Sequence, residues 1–74
     1  MKLVMLSKDD KSGGNGCPSV YLAESGELVV QGSVVDDDTH AELANVLPGE
    51  MAVRIAPEVL VRAVARLQAM GEAP

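Results

Sequence analysis

Apolar residues in this chain come in short runs, divided by polar, glycine-rich or acidic segments. Lys2 to Leu6 (KLVML) is one such run and predicts a strand. The segment that follows, SKDDKSGGNGCP, carries glycines and a closing proline and predicts a flexible loop over residues 7–18. From Ser19 the chain reads SVYLAESGELVVQGSVV, two β-prone runs around ESGE, which predicts a hairpin turning at Ser25-Gly26. Alternation along those runs sets Val20 and Leu22 on one face and Tyr21 on the other. Leu28 and Val30 then share a face, with Val29 and Gln31 opposite. Gly32 marks a bulge or bend before Ser33 to Val35 resume the extended pattern.

The acidic segment DDDTHAELANVLPGE carries the chemistry of a helix start. Thr39 followed by Glu42 fits a capping box, and Asp36, Asp37 and Asp38 sit where the positive end of a helix dipole favours negative charge. A short helix is predicted from Thr39 to Val46, ended by Pro48-Gly49. Met51 to Ile55 alternates as a strand. Pro57 then opens, and Gly71 closes, a second helix. Its apolar stripe is read as Leu60, Val64 and Leu67, extended by Ala63 and Met70, with Glu58, Arg62 and Arg66 outside and Glu58 to Arg62 as a favourable i,i+4 pair. These elements predict a single α+β domain over residues 1–74. Its architecture is a small antiparallel sheet of three to four strands, a short middle helix and a C-terminal helix packed on one face.

Composition limits how stable such a domain can be. Its 74 residues include no Phe or Trp and one Tyr, so the core is aliphatic. Area scaling gives roughly 4,300 Å² exposed when folded, out of roughly 11,000 Å² in the extended chain, a marginal burial. One cysteine permits no internal disulfide. A homodimer or another obligate partner is the expected source of further burial. The single cysteine, the lack of a signal-peptide pattern at MKLVMLSKDD and the absence of a membrane-length apolar stretch predict a cytoplasmic location without membrane contact. Eleven acidic against six basic residues give a net charge of −5, which disfavours direct nucleic-acid binding and favours protein surfaces as partners.

Little in the sequence has the spacing of catalysis. SGGNGCPSVY is glycine-rich, but a proline and a strand follow it where a phosphate-cradling loop would open into a helix. Cys17 is a possible reactive thiol, but it would need a stabilised thiolate and a nearby base, and His40 is the only histidine. A calcium loop beginning at Asp36 would need glycine and glutamate where Ala41 and Leu47 stand. No catalytic residue, cofactor or metal site is expected. The alternative is a small-molecule or metal-binding protein using Cys17 and the Asp36–His40 segment. The expected partner-binding residues are Val29 and Gln31 on the hairpin edge, and Arg54, Arg62 and Arg66 as a small basic patch.

Cys17-Pro18, Tyr21, Val29-Val30-Gln31-Gly32 and the strand-to-helix stretch from Val53 to Leu60 resemble a group of very small actinobacterial proteins. The glycine-rich lead, the strand pair and the final helix are similar to the BldB-like and WhiJ-associated accessory proteins, over roughly residues 14–67. That resemblance implies a non-enzymatic interaction module acting beside a helix-turn-helix transcription regulator. It carries over no catalytic residue.

Overall fold

A computed structural model describes residues 1–11 and 18–71. The chain runs β1 (Leu3–Lys8), β2 (Ser19–Ala23), β3 (Leu28–Gln31), β4 (Ser33–Val34), α1 (Asp37–Ala41), β5 (Val53–Arg54) and α2 (Pro57–Gly71). The fold is α+β, with β1, β2 and β3 forming an antiparallel sheet in the order β1-β2-β3. The last two strands do not extend that sheet: β4 pairs antiparallel with β5 in a separate two-stranded ladder. The strand expected over Met51 to Ile55 shrinks to Val53–Arg54.

Gly26 explains the β2–β3 turn. It sits at φ 93°, its N–H donates to Ala23 O at 2.9 Å, and the Ala23 N–H donates to Glu27 O at 2.8 Å. A three-residue loop closing on a left-handed glycine matches the twist of the flanking strands. Gly32 separates β3 from β4 for another reason. A Cβ there would lie 2.5 Å from Arg54 O and 2.8 Å from Ile55 Cγ2, so the two sheets meet where only a hydrogen fits.

β1 reaches Lys8, further than expected, so residues 7 and 8 belong to the sheet. The Asp9 N–H donates to Pro18 O at 2.8 Å and closes the base of the connection to β2. The register shifts between Met5 and Ser7, so Leu6 and Ser7 lie together at a bulge facing Val20. Both are buried. Leu6, Val20, Val59 and Ala63 form the core, with Leu22, Ile55, Ala56 and Leu67 packed around them. α2 therefore covers the Val20/Leu22 face of the sheet and presents Val59, Ala63 and Leu67 inward.

The expected stripe holds at Ala63 and Leu67, which face the core, but Leu60, Val64 and Met70 remain exposed and Val59 takes the inward place instead. The cause is local: with Val59, Leu60, Val61, Ala63 and Val64 all apolar, helical spacing admits two stripes, and contact with β1 selects the one through Val59 and Ala63. Contact with β1 also uses Arg62, whose Nη2 donates to Lys8 O at 2.7 Å. Glu58 turns from Arg62 to Lys11, at 3.6 Å across exposed surface.

Helix α1 starts earlier and ends sooner than the sequence predicts. Its N-cap is Asp36, whose Oδ1 accepts from the Thr39 N–H at 2.8 Å, and Glu42 is the C-cap residue. Asp caps at least as well as Thr, so the first suitable residue in the acidic run takes the position. The hydrogen bonds from Thr39, side chain first and backbone second, hold the Asp36 carboxyl below its ordinary value. A lowered folded pKa means that this contribution to stability is present above the unfolded value and is lost as pH falls through the folded one. A carboxyl-carbon NMR titration should place the Asp36 midpoint below the usual aspartate range of about 3.9. A midpoint at or above that range would contradict the cap, and Asp36→Asn should keep α1 where Asp36→Ala frays it.

Candidate interaction surface

Sheet registry places the expected contact residues on definite faces. Directly opposed residues share a face, so Leu3, Met5, Tyr21 and Val29 lie together on the side opposite the one that α2 covers, with Gln31 and the small, buried Ser19 and Ala23 on the same side. The Tyr21 hydroxyl donates to Gln31 Oε1 at 2.9 Å across this surface. Leu3, Met5 and Val29 are each 37 to 45% exposed. Among the described residues, α2 is the one helix packed on the sheet, and it lies on the opposite face. Burying apolar area there is worth roughly 25 cal/mol per Å² removed from water, so an open face of this kind is a surface for association.

Val29 and Gln31 therefore belong to an apolar sheet face as well as to an edge strand. Sequence reading named them and missed Leu3 and Met5. The signal is present: LVML, VYLA and LVV are continuous runs without a charged residue, and a sheet with one wet face would alternate.

The three arginines do not form one patch. Arg54 lies on β5 opposite Ser33, near enough to Asp36 to help lower that carboxyl's pKa. Arg62 and Arg66 instead line an open cleft of about 600 Å³ between α2 and β1, with Met5, Leu6, Ser7, Lys8 and Asp10, so Met5 on the edge strand borders both this cleft and the open face. Ser7 Oγ is buried beside this cleft without a hydrogen-bond partner among the described residues. The bulge accounts for it, since Ser7 shares the inward side with Leu6.

Cys17 lies outside the described residues, as do residues 12–16 of the loop expected over 7–18. Asp36 and Asp38 stand at the exposed start of α1, and among the described residues no group of three His, Cys, Asp or Glu side chains is placed to hold a metal ion. No helix among them is long and apolar enough to cross a membrane. No protein-family model, curated protein or solved structure matches the chain.

Proposed function

We propose that this chain is a non-enzymatic protein-interaction module, an accessory partner of a helix-turn-helix transcription regulator. The observation that carries the interaction reading is the open apolar face formed by Leu3, Met5, Tyr21 and Val29. Such a face is unfavourable in water, and a partner's apolar segment offsets that cost when it docks. Lys8, Arg62 and Arg66 add cationic groups at the β1–α2 cleft, suited to carboxylates on the partner. The choice of a regulator rests on the resemblance of the Cys17-Pro18 and Val29 to Gly32 segments.

Gentle capture of the tagged chain from its native host tests both parts. A helix-turn-helix regulator should be recovered in stoichiometric amount, and Met5→Glu should weaken its binding by more than about tenfold, about 1.4 kcal/mol, while the circular dichroism spectrum stays unchanged. Recovery of a different class of protein would overturn the regulator assignment. Equal binding by folded Met5→Glu would overturn the surface.

A further inference from the structure

The two edges of the main sheet are built differently. On β1 the edge is interrupted by the bulge and flanked by Lys2 and Lys8, devices that discourage another strand from pairing. On β3 the edge is Leu28-Val29-Val30-Gln31, with no charge, proline or bulge. Its hydrogen-bonding phase follows from the turn. Because the Ala23 N–H bonds to Glu27 O, alternation makes Tyr21 and Val29 the next bonded pair and aims the main-chain groups of Leu28 and Val30 away from β2.

Helix α2 is also wider than the sheet beneath it. Successive helical residues turn by about 100°, and Arg62 and Arg66 mark the flank above β1. The other flank, carrying Leu60 and Val64, lies toward β3 and is exposed, as are Leu28 and Val30 on the same side of the sheet. A strand added beside β3 would extend the sheet under that flank.

We propose that the added strand is β3 of a second copy of this chain, paired antiparallel about a two-fold axis at Val29. In this register Leu28 and Val30 bond to Val30 and Leu28 of the partner subunit, and Val29 faces its own copy. All four outward main-chain groups are satisfied, and like residues meet without a charged pair. The product is a continuous six-stranded sheet with both α2 helices on one side. The exposed side chains suit this occupant: Leu28, Val29 and Val30 on the edge strand and Leu60 and Val64 on the α2 flank are all apolar and all exposed, and a second β3 with its own α2 brings an identical apolar set to meet them. The edge is separate from the regulator reading, since it concerns how the chain meets itself and not what docks on the open face.

Sedimentation of the purified chain should give a mass twice the 7.7 kDa protomer, dissociating on dilution. Val29→Lys sets two ammonium groups against each other and should give a folded monomer, as should Val29→Glu, and an equimolar mixture of the two should recover the dimer. If the charged variants fail to fold, Cys17→Ser/Val29→Cys replaces them: mild oxidation should link the two copies, since cross-strand Cα atoms at a non-bonded pair stand about 4.5 Å apart. A wild-type mass equal to one protomer at every concentration overturns the proposal and leaves the edge to another protein's strand. A folded Val29→Lys chain that remains dimeric, or a double variant that stays unlinked, overturns the register. Regulator capture failing while the dimer persists would count against the function proposed above and not against this interface.

Discussion

Leu6→Ala should lower the stability of this protein by about 3 kcal/mol, within the range of about 2 to 5 for deleting a buried leucine side chain. Leu6 is 4% exposed and is the largest side chain of a core otherwise built from Val20, Val59 and Ala63. Few neighbours can collapse into the space it leaves, because small side chains held on two strands and a helix have little reach. A chain of 74 residues has on the order of 4 to 11 kcal/mol in total, so the loss is a large share of it. Thermal unfolding should fall by roughly 12 to 24 °C, at about 4 to 8 °C per kcal/mol for this size. The same experiment checks the helix phase. Val59→Ala, at a position fully buried, should cost about 1 to 2 kcal/mol from two lost methyl groups, whereas Val61→Ala, at a position 66% exposed, should stay within about 0.5 kcal/mol. Equal losses at the two valines would contradict the packing of α2.

Gly32→Ala is the second large effect, expected to cost about 1 to 3 kcal/mol as an overpacking change. The methyl group would meet a backbone oxygen, Arg54 O, and the ladder pairing Ser33 with Arg54 holds that oxygen in place. Relief requires β5 to move, and with it the chain leading through Ile55 and Ala56 into the core. Urea unfolding measures the loss. Gly71→Ala is the control, since open space surrounds its Cβ and alanine favours a helix, so stability should hold or rise slightly. Tolerance of Gly32→Ala without loss would mean that the two ladders do not approach as described.

Sequence reading recovers what local rules decide. The hairpin follows from Gly26, the start of α2 from Pro57, and the facing of Val20, Leu22 and Tyr21 from alternation. It falters where several residues satisfy the same rule. Three aspartates and a threonine all suit an N-cap, and the cap goes to Asp36. An apolar residue at almost every position from Val59 to Ala65 leaves the helix phase to contact with β1. The separate β4–β5 ladder depends on the close approach at Gly32, a tertiary event that two-residue strands cannot announce. On the surface, Val29 and Gln31 were legible as an edge, while the face they share with Leu3 and Met5 emerges only once the β1–β2 register is known. Charge alone groups Arg54 with Arg62 and Arg66, and β5 carries it elsewhere.

Amide hydrogen exchange, followed residue by residue at high and low protein concentration, tests most directly whether the sheet is completed by a second chain. The Val29 amide, bonded within the hairpin, should be protected at both concentrations. Those of Leu28 and Val30 should be protected only at high concentration and exchange freely on dilution. Rapid exchange of Leu28 and Val30 at every concentration would contradict the account, leaving a three-stranded sheet whose outer edge meets only water.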